Sequence, residues 1–384
     1  MNKKTPINMA SPHFDSVDRQ RIHQELDNIL DGALSMGPNV KAFENAFAKR
    51  VGVRHAIAMN SCTSALEAVL SAHRVDGLEV IVPAQTFVAT GMAVHLCGGI
   101  PIFAEINPEN LCLSLQDVKK RITQKTAGII LVHMAGMITP EVNEFRKFCD
   151  EKNIFLIEDA AHAPGAQFNG CEAGSLGHAG CFSFYPSKVL TSGEGGMVTT
   201  NDDTIAEYVR SFQHRGRDMK SSEEEYIIPG RNVRMNEMSA LLGLVQLGHL
   251  DDFLERRRTV ADIYSQELKD FNYIKRIIPG NRISSSFWKY PILLSPGINR
   301  LAVAEILAKD QINVDWAYFP ALHLQPVFKK LYKTSSGMLP LTEDLLNRHL
   351  CLPCHQRISD DEAYFVVQRL KKAINLITQS DLDV

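Results

Sequence analysis

The sequence lacks the features that mark nucleic-acid-binding, membrane and secreted proteins. No charge of one sign dominates, since 41 lysines and arginines stand against 44 aspartates and glutamates, with a formal net charge of −3. This balance argues against nucleic acid or an anionic membrane as the main partner. The apolar runs are shorter than a membrane span, and no apolar stretch of an export leader follows Met1–Pro6. We therefore expect a cytoplasmic protein.

Signatures of several common α/β enzymes are also missing. The chain has no glycine-rich dinucleotide fingerprint and no phosphate-binding loop of the nucleotide triphosphatase kind. It also lacks the serine hydrolase elbow and the His-Glu-x-x-His zinc motif. These absences argue against dinucleotide-dependent dehydrogenases, nucleotide triphosphatases, serine hydrolases and zinc proteases, which are common classes among α/β chains of this size.

The eight cysteines form no regular framework, which is typical of reduced thiols. Cys351-Leu-Pro-Cys354-His355 matches the attachment pattern of c-type haem, but that chemistry requires export. No second cysteine pair has zinc-ligand spacing. We expect neither haem nor any metal site.

The hydrophobic pattern predicts an α/β fold. The 384 residues, 45% of them hydrophobic, are enough for one large α/β domain with a smaller companion. Short apolar runs alternate with amphipathic helical patterns, which favours a mostly parallel sheet covered on both faces. Ligands of such sheets bind beyond the strand ends. Seven strands are predicted: His55–Asn60, Glu79–Ala84, Ile100–Ile106, Thr126–His133, Ile154–Ala160, Gly180–Tyr185 and Gly196–Asn201.

We place a large domain over residues 1–250, including an N-terminal arm, and a small α+β domain over residues 251–384. The arm pattern over Gln20–Ala48 is interrupted at Gly32 and at Gly37-Pro38. The later patterns predict a long bridging helix, two strands and a terminal helix: Met235–Asp270, Phe287–Leu294, Ile312–Tyr318 and Asp360–Ile377.

Lys188 and Asp159 are the most informative residues. Lys188 follows a buried strand in a small-residue turn, where partial desolvation lowers the pKa of an amine and lets it attack an aldehyde carbon. Asp159 ends an apolar run and can hold a protonated ring nitrogen. Each has an ordinary interpretation, a solvated turn lysine or a strand-end helix cap. Together they indicate a site for pyridoxal phosphate, PLP.

Four segments in order strengthen this interpretation. The chain resembles the DegT/StrS family of PLP-dependent sugar aminotransferases from about residue 10 to the C-terminus. The similar segments are Asn60-Ser-Cys-Thr-Ser-Ala-Leu66, Glu158-Asp-Ala-Ala-His-Ala163, Ser183-Phe-Tyr-Pro-Ser-Lys188 and Gly230-Arg-Asn-Val-Arg-Met235.

The resemblance implies the aspartate aminotransferase-like fold, fold type I, and a set of roles. Lys188 is expected to form the Schiff base with PLP and to move protons, while Asp159 holds the pyridinium nitrogen. His162 and Phe87 are expected to lie against opposite faces of the ring, although a structural histidine and a core phenylalanine are the alternatives. Beside them the phosphate is expected to be held by Thr63, Ser64, Ser183 and Asn232.

Two of these positions carry further information. Asn232 corresponds to the family residue that reaches the phosphate in the neighbouring subunit, which implies a homodimer with shared active sites. Outside the family context, Gly230-Arg231-Asn232 is merely a turn. Cys62 stands where the family often has glycine, so its own contact is not assigned.

The expected reaction moves an amino group from an amino acid, L-glutamate, to a keto-sugar, which we expect to be nucleotide-linked. A sugar dehydratase is the alternative, but such relatives typically carry histidine in place of the lysine. A free keto-octulosonate, an aminocyclitol precursor or a non-catalytic PLP-binding regulator are further alternatives. The candidate substrate contacts are Ser35-Met-Gly-Pro38, His214-Arg215, Lys220 and His323.

Overall fold

A computed structural model describes residues 6–380, so the outermost residues of both predicted domains lie outside the described part. The largest sheet has seven strands in the order β1-β9-β8-β5-β4-β2-β3. All seven predicted strands are present in it. Strands β6 and β7 form a small hairpin outside this sheet. In chain order the strands are β1 (His55–Met59), β2 (Glu79–Pro83), β3 (Ile100–Ala104), β4 (Thr126–Val132), β5 (Phe155–Asp159), β6 (Gln167–Phe168), β7 (Cys171–Glu172), β8 (Ala179–Ser183) and β9 (Gly196–Thr200).

The sheet is mostly parallel, as predicted. Only β9 runs against its neighbours, β1 and β8. Strands β4, β5 and β8 lie side by side, so their carboxyl ends meet at one edge. Apolar side chains on the two faces pack beneath helices and form two large buried clusters.

In the described chain, eight α-helices precede residue 250. The break at Gly37-Pro38 is confirmed, and it is fixed by Glu237, whose carboxylate accepts hydrogen bonds from the backbone N–H groups of Gly37, Asn39 and Val40. The helices are α1 (Ser16–Leu30), α2 (Pro38–Val51), α3 (Cys62–Ala72), α4 (Val88–Leu96), α5 (Leu115–Arg121), α6 (Val142–Lys152), α7 (Asp203–Gln213) and α8 (Glu237–Gly248).

The remaining chain builds a second core around a three-stranded sheet, β10-β12-β13. Residues between Ala321 and Leu346 nevertheless pack back against the large sheet. The boundary near residue 250 therefore remains a prediction. The elements are α9 (Leu250–Glu267), β10 (Ile274–Arg276), β11 (Ile283–Ser284), β12 (Tyr290–Leu294), α10 (Arg300–Lys309), α11 (Pro326–Tyr332), α12 (Pro340–Arg348), β13 (His349–Leu352) and α13 (Asp360–Ser380).

Two predicted elements differ from the structure. The long helix over 235–270 is divided at His249, whose ring bonds Asp18 at 2.8 Å. The strand over 312–318 is wrong, because only Ile312 and Asp315 form isolated bridges there. Its alternating apolar and polar residues imitate a strand, but no continuous ladder forms, and Tyr318 at its end lines a cavity. The terminal helix α13 is confirmed.

No helix within residues 6–380 is long and apolar enough to span a membrane.

Candidate active site

A cavity of about 480 Å³ lies where β4, β5 and β8 end. The last residues of these strands, Val132, Asp159 and Ser183, belong to its wall. A pocket beyond the strand ends is where a parallel sheet binds ligands. Six of the eight predicted site residues line it: Thr63, Phe87, Asp159, His162, Ser183 and Lys188.

Asp159 is held at the end of β5 with only 6% of its surface exposed. The Thr90 hydroxyl donates to its Oδ2 at 2.8 Å, and the Ala161 N–H donates to Oδ1 at 3.2 Å. Burial raises the pKa of Asp159, while these hydrogen bonds and the charge of Lys188 oppose the rise. A buried carboxylate of this kind gains stability from a cationic partner in the cavity.

Lys188 lies in the loop between β8 and β9, and backbone contacts fix that loop. The Lys188 N–H donates to the Tyr185 carbonyl at 2.9 Å, and the Thr191 hydroxyl donates to the Phe184 carbonyl at 2.9 Å. Burial lowers the pKa of Lys188 to about 8, although Asp159 and Cys62 favour its charge. Lysine nucleophiles need this change, because only the neutral amine attacks a carbonyl carbon.

The first residues of α3 lie beside the cavity. Ser61 caps this helix, since its hydroxyl accepts the Ser64 N–H at 3.1 Å, and Thr63 lines the cavity. Gly196 passes so close that a Cβ atom there would lie 2.3 Å from the carbonyl carbon of Ser61. Free N–H groups at a helix start bind phosphate well.

His162 is buried, and its ring stacks on Trp288 at 3.8 Å between centroids with an 11° angle. Its Nε2 bonds the Tyr318 hydroxyl at 2.9 Å, whereas Nδ1 is buried without a partner. Burial lowers the pKa of His162 well below its ordinary value, so the ring is neutral. Because Trp288 covers one face of the imidazole, only the other face is available to a ligand.

Phe87 lies at the mouth of the cavity, with 54% of its surface exposed. Its ring centroid is 5.4 Å from that of Tyr318. The core position considered for Phe87 is therefore wrong, and the ring can stack on a ligand.

Ser64 and Asn232 are the two predicted residues that do not line the cavity of their own chain. The Ser64 hydroxyl accepts a hydrogen bond from Ser61 at 3.0 Å and is turned into the cap. Asn232 is exposed, and its backbone bridges His214 at the end of α7. An exposed position of this kind is compatible with the expected reach into a neighbouring subunit.

With the geometry in place, comparison with known proteins identifies the family. The sequence profile described as the DegT/DnrJ/EryC1/StrS aminotransferase family matches residues 16–371. The chain belongs to this family. Its members depend on PLP, so the aminotransferase predicted from the sequence is confirmed.

Relatives of this DegT-family aminotransferase align along nearly all of their length. GDP-perosamine synthase of Vibrio cholerae is 31% identical, over 97% of this chain and 100% of that protein. The dTDP-4-dehydro-2,3,6-trideoxy-D-glucose 4-aminotransferase of Saccharopolyspora spinosa is 32% identical, over 91% and 94%. The solved structure of Helicobacter pylori PseC, an aminotransferase involved in pseudoaminic acid biosynthesis, is 28% identical. It covers 97% and 100% of the two chains with a TM-score of 0.89, and the predicted fold class is confirmed.

The substrate contacts suggested by the sequence lie elsewhere in this aminotransferase. None of them lines the cavity of its own chain. His323 is fully buried and bonds Glu343 at 3.0 Å, and Lys220 pairs with Glu207 on the surface. Cys351 is buried in β13, and the Cys354 thiol contacts the Arg257 carbonyl.

The wall residues that sequence reasoning missed include Thr90, Trp288, Lys289 and Tyr318. Thr90 lies in α4, close to Phe87 in the sequence, and this short separation from a predicted site residue is the signal that could have identified it. The other three come from the chain beyond residue 250, where no recognised motif surrounds them.

Proposed function

We propose that the protein transfers an amino group from L-glutamate to a nucleotide-linked keto-sugar, with PLP as its cofactor. The observation that carries this proposal is the meeting of Lys188 and Asp159 in one cavity. A desolvated amine and a buried carboxylate on a shared wall are the two protein groups that PLP chemistry needs.

The residues present fit PLP. The Asp159 carboxylate is buried and forms no ion pair with any residue that the structure describes, so a protonated ring nitrogen would stabilise its ionised form. The α3 start, Thr63 and Ser183 offer donors for a phosphate. Phe87 and the free face of His162 offer surfaces for a flat ring.

When bound, PLP supplies an electron sink that makes the donor α-proton acidic. Lys188 would hold the cofactor at rest, and its free amine would serve as general base and then as general acid for the donor α-proton. With a pKa of about 8, its amine is available near neutral pH. Asp159 keeps the ring nitrogen protonated, and neutral His162, held by Tyr318, limits the movement of the ring.

The keto-sugar acceptor agrees with the names of the relatives, two of which refer to GDP- and dTDP-linked sugars. Lys188 argues against the dehydratase alternative, since the elimination enzymes of this family typically lack that lysine. Among transaminase substrates, a free keto-octulosonate or an aminocyclitol precursor remains the second candidate.

We further propose a homodimer in which Asn232 of one protomer completes the phosphate site of its partner. Its exposure, and its absence from the cavity wall of its own chain, support this arrangement. Each cavity would then be made by two chains, and the dimer would be obligatory for activity.

Spectroscopy tests the function directly. Purified protein loaded with PLP should be yellow, and L-glutamate should bleach it to the pyridoxamine phosphate form within one turnover. A screen of keto-sugars, free and nucleotide-linked, should then identify those that restore the colour. A yellow enzyme that glutamate leaves unchanged would contradict the proposed amino transfer from this donor.

A further inference from the structure

Lys289 is a second lysine at the cavity wall that the reaction described above does not use. It immediately precedes β12, is 8% exposed and lines the same cavity as Lys188. The Nζ atoms of Lys289 and Lys188 lie 4.2 and 4.5 Å from the centroid of one ring, that of Trp288. Both amines therefore lie against the indole of Trp288, which is itself part of the wall.

The position of Lys289 is fixed by its surroundings. Its ammonium group forms a short ion pair with Asp315, and the backbone of Asp315 is bonded to Cys351 in β13. The Trp288 indole N–H donates to the Ser187 carbonyl at 2.6 Å, next to Lys188. A buried ammonium group is usually paired with an anion. Asp315 supplies that anion through one carboxylate oxygen, and its other oxygen, Oδ1, has no hydrogen-bond partner among the described residues.

The amino-acid donor needs a cationic partner in the cavity. Every α-amino acid brings a carboxylate on the carbon that bears the reacting amine, so that carboxylate must lie close to Lys188. Among the described residues of the wall, Lys188 and Lys289 are the cationic side chains, since His162 is neutral. Lys188 is occupied by the chemistry, which leaves Lys289 as the cation that this chain's own wall offers to the carboxylate.

We propose that Lys289 binds the α-carboxylate of the amino-acid donor, an assignment that rests on the proposed aminotransferase function. Asp315 then acts as a positioning residue that holds the ammonium group toward the cavity before the donor arrives. The charge of Lys289 also contributes to the lowered pKa of Lys188, after the larger effect of burial.

Equilibrium binding tests the assignment without turnover. α-Methyl-L-glutamate has no α-proton, so it binds the PLP form and stops before proton transfer, and its spectral titration gives a dissociation constant. Lys289→Met should weaken this binding about 10- to 100-fold, the range for losing a hydrogen bond between charged groups. Lys289→Arg should restore most of it. Lys147→Met, which removes a surface lysine paired with Glu151 at 3.8 Å, should have no effect.

A comparison of three amino donors shows which carboxylate Lys289 binds. In Lys289→Met, single-turnover conversion by L-glutamate and by L-glutamine should fall by the same factor, since both carry an α-carboxylate. Conversion by 4-aminobutanoate, which lacks that group, should be slow in the native protein and unchanged in the variant. A loss with L-glutamate and 4-aminobutanoate that spares L-glutamine would assign Lys289 to the side-chain carboxylate instead and overturn the proposal.

Two further outcomes would also overturn it. Unchanged donor binding with weakened binding of GDP or dTDP to the pyridoxamine phosphate form would assign Lys289 to the sugar nucleotide. Unchanged binding of every probe would remove Lys289 from recognition. If Lys289→Met does not fold because Asp315 loses its partner, the double variant Lys289→Met/Asp315→Asn removes both charges and gives the same test. Native protein that glutamate fails to bleach would instead count against the proposed function.

Discussion

The cavity wall and the segment Gly230–Met235 both carry residues expected at the cofactor. They differ in whether the fold of one chain is enough to bring those residues to the cavity. At the wall, Asp159 and Lys188 are buried or fixed by hydrogen bonds from their own chain. In the segment, Asn232 is exposed and does not line the cavity of its own chain. The fold of one chain sets the positions of the wall residues, whereas the role proposed for Asn232 requires a second chain.

The two regions therefore need different experiments. Lys188, Asp159 and His162 can be tested one chain at a time, because their geometry is already set by the fold. Asn232 must be tested through mixtures of chains. We expect the largest effects at the wall and smaller effects at the segment.

The largest effect is expected for Lys188→Ala. Because this change removes both the covalent attachment and the proton carrier, turnover should fall by at least about 10³-fold. PLP should remain bound through Thr63, Ser183 and Asp159. The check is a steady-state assay together with the absorbance of bound cofactor. Multiple turnovers near the native rate would remove Lys188 from its central role.

The next effect is expected for Asp159→Asn. An amide cannot stabilise the protonated ring nitrogen, so the half-reaction with glutamate should slow by about 10²-fold or more. The phosphate contacts should preserve part of the PLP affinity. Stopped-flow bleaching of the yellow form measures the rate. An unchanged rate would show that another residue holds the ring nitrogen.

A smaller effect is expected for Asn232→Ala, and it tests the difference between the two regions. Loss of one hydrogen bond to a charged phosphate should weaken PLP retention by about 1–3 kcal/mol. At limiting PLP, mixing this variant with Lys188→Ala should restore activity, since heterodimers contain one site with both defects and one with neither. Mixed dimers confirmed by native mass spectrometry that stay as inactive as the parents would refute the shared site.

The smallest expected effect is a pH dependence of cofactor loading. Only the neutral amine of Lys188 attacks the aldehyde, so the rate at which PLP binds covalently should rise with pH and level off above the lysine pKa of about 8. The rate at pH 7 should be about tenfold below the plateau. A rate that continues to rise toward pH 10 would mean that Lys188 keeps the pKa of an exposed lysine.

Much of the large sheet and the inner site could be predicted because their signals are local. Buried strands alternate with helices, and Asp159 and Lys188 stand in recognisable segments at strand ends. Trp288, Lys289 and Tyr318 could not be predicted, because they reach the cavity through tertiary packing alone. Tyr318 bonds His162 from 156 positions along the chain. The false strand over 312–318 has the same origin, since its alternating pattern carries Tyr318 inward to the cavity instead of along a sheet.

The central claim is that Lys188 is the lysine that holds PLP, although Lys289 lies against the same Trp288 ring. Borohydride reduction of the loaded protein followed by peptide mass spectrometry tests this directly. We predict one phosphopyridoxyl group per chain, carried by the peptide that contains Lys188, and its loss when glutamate is added before the reductant. The group on Lys289 or another lysine, or no labelling of a yellow enzyme, would contradict the account.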